Sequence, residues 1–564
     1  MNKKSTLTLI PIFVLLLSSC RFSDVFPTNY LVIDTMPYKT SYKVGEYFTS
    51  EGLLVKDNND QFVTDYSLSI EDGTQLLRAK TYSVVVSKEG YKSTSFSIQC
   101  IQDDTDDKTF DFYYINDTHG AFSRQNTESN YLEAGMSYIS TYLKERKNEN
   151  SLILSGGDMF QGGIESNSTH GDIMIDAMNE IGFDAMALGN HEFDWGASYI
   201  DDFAEKLDCP ILACNTFYNS DKTTRPSSIK PYTVIYRDGI NIGIIGAQIE
   251  NMNSSISGSI SSEYYFPDPT EYVRECALEL RNELECTIVI AIFHDGGFDD
   301  SSDQFKFTSL TEYDSKNGHR YLDGIFLAHD HRYKDGKING VPYLESACNG
   351  RYVGKMTFNL RYAQGEYSII SSSTSNTNAY YSCTVNDPNI DALLVKYQDQ
   401  IGDPDEVICN FNYSYTKENF VTLICQAMYW FVNENKGEFG GENVYFTSHN
   451  LGGVRVNSIS SGDFTYRDLI TTMPFDNEIC IQTCTYSNIY NMDRSNSYRT
   501  YYDGDSISDL PYDSETGLIK AATISYIAEN ETNQKYIQQS YVKYYGHTAK
   551  TILVEYLKEF DDIL

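Results

Sequence analysis

Five short apolar runs, each closing on a cluster of His, Asp or Asn, occupy the middle of this 564-residue chain. They read FDFYYINDTHG, SLILSGGD, AMALGNHEFD, IVIAIFHDGG and GIFLAHDH. Short runs rich in Ile, Val, Phe and Tyr are strand candidates. An α/β sheet gathers its ligands at the carboxyl ends of its strands. Of nine histidines in the chain, five sit in these tips: His119, His191, His294, His329 and His331. Nitrogen and carboxylate ligands drawn from five elements point to metal chemistry.

Two divalent cations in one centre sit about 3.5–4 Å apart, so a carboxylate must bridge them while other ligands complete each ion. Asp158, within the glycine-rich GGDMFQGG, is the natural bridge, because glycines let the backbone come close to the ions. Asp117 and His119 form a D-x-H pair that can grip one cation, while Asn190 and His294 can grip the other. His329 and His331, again two apart, can supply one ligand to each. His191 and Asp194 remain, three apart in NHEFD. An imidazole beside a carboxylate suits a protonatable group that steadies developing charge or the leaving oxygen. Alone, His119 reads as a satisfied strand-end histidine and Asp158 as a turn carboxylate capping a helix. Five such tips in series outweigh that reading. Mn, Zn, Fe or Co would all suit the donor set.

In this order, DTHG, GGD, GNHEFD, FHDG and AHDH resemble the calcineurin-like metallophosphoesterase superfamily. GDMFQGG and GNHEFDWG are similar to its 5'-nucleotidase family. The resemblance implies a multidomain protein whose residues 108–365 form a four-layer αββα sandwich with two divalent metal ions. By that resemblance Asp117, His119, Asp158 and His331 would hold one metal, and Asp158, Asn190, His294 and His329 the other. His191 with Asp194 would be the catalytic dyad. Ala328 stands where the family usually writes Gly, a departure that leaves the ligands intact.

Residues 366–404 read as a linker in which DPNIDALLVKYQDQI, apolar at helical spacing, forms an interdomain helix. Residues 405–564 carry ENFVTLICQAM, SHNLGGVR and SGDFTYRDLITTMPFDNEI. These resemble the α+β C-terminal substrate-binding domain of 5'-nucleotidases, in which an N-x-G-G-x-R turn and a downstream P-F hold the nucleotide. Carried over, Asn450 and Arg455 would contact base or phosphate, and Phe475 would form one face of a base-stacking clamp. Arginine suits phosphate because its planar fork meets two oxygens at once. Without the resemblance, Phe475 reads as a core aromatic and Arg455 as a solvated turn charge. Tyr526, in TISYIAENETNQKY, is the candidate second ring. The G-G-D-G that the family offers to the ribose hydroxyls is replaced by ENET, and only Lys417 stands near the place of an expected arginine.

Residues 1–20, MNKKSTLTLIPIFVLLLSSC, join two lysines to a compact apolar stretch and Leu17-Ser18-Ser19-Cys20. The pattern is that of a secretory signal. Its last four residues resemble a bacterial lipobox, which implies cleavage before Cys20 and lipidation of that cysteine; the plainer reading is an ordinary signal with a chance cysteine. No later stretch approaches the ~20 apolar residues of a membrane span. Residues 24–101 alternate short β-branched and aromatic runs with Gly, Asn and Asp turns, which argues a small all-β sandwich. The phrase YKVGEYFTSEGLLV resembles bacterial Ig-like modules, serving as a spacer or an adhesive surface.

With 79 acidic and 43 basic residues and a net charge of −36, a surface for nucleic acid polymers is excluded. A nucleotide can still enter where cations and Arg455 create a local positive site. The cysteines after Cys20 show no zinc or CxxC spacing and read mostly as buried small apolar residues, with Cys276/Cys286 and Cys480/Cys484 as conceivable bridges. The expectation is an enzyme lipid-anchored to the outer face of the bacterial cytoplasmic membrane, with no obligate protein partner. It hydrolyses nucleotides or related phosphate esters by in-line displacement at phosphorus. The alternatives are a 2',3'-cyclic-nucleotide phosphodiesterase, a nucleotide-sugar hydrolase, or a surface adhesin that keeps the scaffold without turnover.

Overall fold

The structure, a computed structural model, describes residues 29–560 apart from 102–106, 127–131, 253–254, 257–259, 261, 300–301, 303, 317, 364–365 and 530–539. The signal segment and Cys20 lie outside the described residues. The chain forms two compact units, Met1–Asp106 with Tyr362–Tyr367, and Asp107–Arg361 with Ser368–Leu564.

In the first unit, Thr81–Ser87 and Thr94–Ile101 bury every second residue, so that Val84, Val86, Phe96, Ile98 and Cys100 point inward. That is the period of a strand with one solvated face. Two four-stranded sheets result, and Leu31, Tyr42, Phe48 and Val55 complete their core. The described residues of 29–101 are all-β.

In the second unit, all five apolar runs are strands. Lys108–Ile115, Ser151–Ser155 and Ala185–Ala187 are parallel neighbours in a seven-stranded sheet. Ile288–His294 and Gly324–Leu327 are parallel neighbours in a six-stranded sheet. The ligand-bearing tips therefore lie at the rim of two sheets, the pair that the αββα arrangement implies. Helices Met136–Arg146 and Asp172–Ile181 pack Ile139, Leu143, Ile173 and Met178 with Tyr113, Ile115 and Ile153 of the first sheet. Helix Pro269–Asn282 sets Val273, Ala277 and Leu280 against Val289, Ala291 and Phe293 of the second. The alternate residues face the other way: Phe112 and Tyr114 meet Phe326 of the opposite sheet, with Tyr114 and Phe326 ring centroids 4.8 Å apart. Strands covered on both faces read as continuous apolar runs, and the layers stack as helix, sheet, sheet, helix.

Residues 366–378, expected to be linker, form the strand Glu366–Asn378 at the edge of the seven-stranded sheet, beside Tyr352–Ala363. Its sequence EYSIISSSTSNTN alternates between part-buried and exposed positions, but Ser, Thr and Asn fill both sets and hide the period. Helix Pro388–Lys396 follows, capped by the Asp387 side chain and started by proline, two N-terminal signals that agree. It docks through Ile390 on the helices of the first sheet.

Beyond residue 405 a five-stranded sheet packs on helices Lys417–Glu434 and Ala549–Glu559 around Phe420, Ile424, Met428, Ile479 and Leu553. This is an α+β domain. None of the eleven cysteines from Cys100 to Cys484 is joined in a disulfide, so neither conceivable bridge is formed. Cys480 and Cys484 are four residues apart on one strand, about 13 Å along the chain at ~3.3 Å per residue, too far for a disulfide.

Candidate metal and phosphoester site

Asp117, His119, Asp158, His329 and His331 all have positive φ, at 49°, 48°, 53°, 82° and 59°. Left-handed backbone is costly for residues with a Cβ and survives where the surroundings enforce it. Here two loops are laced together: Asp117 N–H donates to Gly157 O and His119 N–H to Asp158 O, both at 3.0 Å. A Cβ at Gly189 would run into Asp158, and one at Gly162 into His119. Glycine at those two positions lets the turns close until the ligands converge.

They converge in overlapping trios. Asp117, His119 and His331 form one, Asp158, His294 and His329 another, and His119, Asp158 and His191 a third, with the ligand atoms of each trio within 4.8 Å of one another. Asp158 is shared by the last two. Asn190 Oδ1 lies 3.1 Å from His294 Nε2 and 2.9 Å from His329 Nδ1. His119 Nε2 and His331 Nε2 are 2.9 Å apart. All seven residues expected to hold metal are thus in one place.

The donor chemistry fits divalent cations. His119 Nδ1 faces Gln161 O at 3.3 Å and His294 Nδ1 faces Gly156 O at 2.8 Å. A carbonyl on one ring nitrogen holds the proton there and leaves the other nitrogen as a ligand. Burial pushes His119 far below the usual imidazole range, His329 down to about 4 and His331 down to about 3. Burial works on Asp158 in the opposite sense, but His294 and His191 hold its carboxyl well below the ordinary range. Those neutral rings and the Asp158 carboxylate are in the protonation states that metal binding requires. Burial opposes the charged form of His294, yet Asp158 raises it to about 10, and burial raises Asp117 to about 7. Those two must each give up a proton when an ion binds.

The His191 ring gives Nδ1 to Asp194 Oδ2 at 2.7 Å, while its Nε2 lies 4.0 Å from Asp158 Oδ2. Burial opposes its charged form, yet Asp194 and then Asp158 raise the imidazole above its usual range.

A cavity of about 690 Å³ opens here, lined by Asp158, Asn190, His191 and Asp194 and also by Asn450, Arg455, Phe475 and Tyr526. Every residue expected to touch substrate lines it. Arg455 is exposed and, among the described residues, forms no ion pair; its guanidinium lies 5.7 Å from the Phe475 ring. Asn450 Oδ1 is buried without a hydrogen-bond partner among the described residues. A second cavity of about 840 Å³ lies on the His119 side and is lined by Arg455 and by Lys417.

Sequence reasoning missed three supports. The Glu192 carboxylate accepts the N–H groups of Asp158, Met159 and Gly189 at 2.9, 2.9 and 2.7 Å. Asn116 ties Asp117 to the Ala347 carbonyl. Glu165 and Asn167, on the turn that follows Asp158, bind the C-terminal domain, through Arg467 at 2.8 Å and the Pro474 carbonyl at 3.0 Å. Only their place beside the tips hinted at these roles.

Comparison with known proteins reproduces this order. Residues 110–333 match the family model of the calcineurin-like phosphoesterases, and residues 401–545 that of the 5'-nucleotidase C-terminal domain. The chain carries a calcineurin-like phosphoesterase domain followed by a 5'-nucleotidase C-terminal domain. As such it is a phosphoester hydrolase. It is 26% identical over 436 residues to the UshA protein of Yersinia enterocolitica, covering 66% of this chain and 74% of the relative. A 5'-nucleotidase of Vibrio parahaemolyticus is 26% identical over 417 residues, covering 65% and 70%. The crystal structure of a 5'-nucleotidase precursor from Thermus thermophilus has the same fold, with a TM-score of 0.64 at 19% identity, over 80% of this phosphoesterase and 97% of that chain.

Proposed function

We propose that this hydrolase removes phosphate from nucleotides at a two-metal site, as a 5'-nucleotidase working outside the cytoplasm and tethered through Cys20. The observation that carries the reading is the single cavity of about 690 Å³ shared by the ligand cluster and by Asn450, Arg455, Phe475 and Tyr526. Its size suits a small organic ligand.

Asp117, His119, Asp158 and His331 hold one cation in this reading, and Asp158, Asn190, His294 and His329 the other. Divalent cations supply Lewis acidity at phosphorus and acidify the attacking water. The chain does the rest. Arg455 sets its fork against the phosphoryl oxygens. Phe475 and Tyr526 take the base between them, and Asn450 Oδ1 accepts a hydrogen bond from the nucleoside. Asp194 fixes His191 with Nε2 toward the cluster, where the protonated ring can give its proton to the leaving ribose oxygen. The second cavity, with Lys417 and Arg455 in its wall, favours nucleotide sugars as a further substrate class, since it leaves room beyond the phosphoryl group. The tether rests on the Leu17-Ser18-Ser19-Cys20 pattern; among the described residues no helix is long and apolar enough to cross a membrane. The all-β residues 29–101 serve in this reading as an Ig-like spacer.

The test is phosphate release from nucleoside 5'-monophosphates, 2',3'-cyclic nucleotides, nucleotide sugars and p-nitrophenyl phosphate, with Mn²⁺, Zn²⁺ or Co²⁺ supplied. Turnover of 5'-monophosphates that a chelator abolishes is expected. Hydrolysis of p-nitrophenyl phosphate alone would remove the nucleotide reading. Incorporation of labelled palmitate that Cys20→Ala abolishes would establish the tether, and equal labelling of both would refute it.

A further inference from the structure

We infer that Gln161 is a further catalytic residue, whose side-chain amide donates a hydrogen bond to a non-bridging oxygen of the phosphoryl group undergoing hydrolysis. The inference rests on the phosphoester reading above and names a contact within that site. Gln161 is only 2% exposed, yet its Nε2 has no hydrogen-bond partner among the described residues. A buried donor left without an acceptor is unfavourable, and native structures keep few of them. This one lies where the two cavities meet, a junction it shares with His331, Gly452, Arg455 and Pro474.

The amide hangs from a turn that cannot drift. Upstream, Glu192 holds the N–H groups of Asp158 and Met159 at 2.9 Å. Downstream, Gly162 N–H donates to Asn167 Oδ1 at 2.9 Å and Gly163 N–H to His119 O at 2.7 Å. The carbonyl of Gln161 itself faces His119 Nδ1 at 3.3 Å. The side chain is therefore positioned by the same backbone that positions Asp158 and His119. Phosphoryl transfer spreads negative charge over three equatorial oxygens. A fixed neutral donor aimed at that charge stabilises the transition state without reorganising. Each of those oxygens can accept more than one hydrogen bond, so Arg455 at the same junction leaves room for a second donor.

The experiment compares the full-length chain with Gln161→Met, which keeps length but has no donor, and Gln161→Glu, which keeps shape but repels the phosphoryl group. The readouts are kcat and KM for p-nitrophenyl phosphate and for a nucleoside 5'-monophosphate, inhibition by inorganic phosphate, metal bound per chain, and thermal unfolding. In Gln161→Met, kcat is expected to fall roughly 100–1,000-fold, as for loss of one transition-state donor. Inorganic phosphate should inhibit it more weakly, with metal content unchanged, and Gln161→Glu should lose more. Loss of metal from Gln161→Met would make Gln161 a ligand through its oxygen, and unchanged kcat with unchanged phosphate inhibition would make it a structural turn residue. Either result overturns the inference. Should Gln161→Met fail to fold, Gln161→Glu decides alone on the same readouts. Because p-nitrophenyl phosphate has no base, the comparison survives even if nucleotides prove not to be substrates.

Discussion

Phe475 lays its ring over His191 with centroids 5.6 Å apart and planes at 26°. A residue of the C-terminal domain thus packs on the imidazole that Asp194 orients in the phosphoesterase domain. In the proposed reading, one aromatic side chain touches both substrate recognition and the chemistry.

Phe475→Leu, which keeps bulk but removes the flat ring, is expected to raise KM for nucleotides about 10-fold, since base stacking on an aromatic contributes roughly 1–3 kcal/mol. The KM for p-nitrophenyl phosphate should stay near wild type. A parallel rise for both substrates would show that the ring acts through His191 and not by holding a base.

Asp158 belongs to trios on both sides of the cluster, so Asp158→Asn should weaken both metals together. Elemental analysis after dialysis is expected to find well under half the wild-type metal. Loss of a single equivalent, with the other retained, would contradict a shared carboxylate.

Glu192→Ala would leave the buried N–H groups of Asp158, Met159 and Gly189 without their acceptor. Each stranded donor costs about 1–3 kcal/mol, so the variant should be destabilised by about 3 kcal/mol or more and lose metal as the turn relaxes. A denaturation midpoint within error of wild type would rule out that role.

Glu133 supplies a pH signature away from the metals. Burial pushes its carboxyl up to about 7, against which the Asn349 amide at 3.1 Å works only in part. The unfolded chain ionises this group near its ordinary value of 4.5. Protonation therefore favours the folded state fully below pH 4.5, and that contribution is lost as the pH rises to about 7. Glu133→Gln should match wild type in stability at the acid end and exceed it by about 3.5 kcal/mol above neutrality, at ~1.4 kcal/mol for each pH unit between 4.5 and about 7. A stability difference that does not change with pH would refute the assignment.

The ligand cluster was legible because its residues are rare and follow runs whose strand character is plain. Every tip from Asp117 to His331 lies where a strand stops. That the strands divide between two sheets came from resemblance and was not legible in the runs themselves, because Phe112 and Ile115 are both fully buried and apolar continuity does not tell which face meets which neighbour. The edge strand Glu366–Asn378 was lost for the opposite reason, since its polar residues leave no contrast between faces. Gln161 and Glu192 escaped because they serve through backbone donors and cavity position, which spacing alone cannot express. Asn450, Arg455, Phe475 and Tyr526 came from resemblance, and the fold brings them to one wall.

The turn after Asp158 carries the bonds from Glu165 and Asn167 to Arg467 and Pro474, seven and nine residues beyond the shared carboxylate. Any swing of the C-terminal domain would strain those bonds, so the tug would be delivered directly to the loop that carries the shared carboxylate. Opening and closing would then retune how tightly the ions sit, and metal exchange should run faster whenever the two halves part.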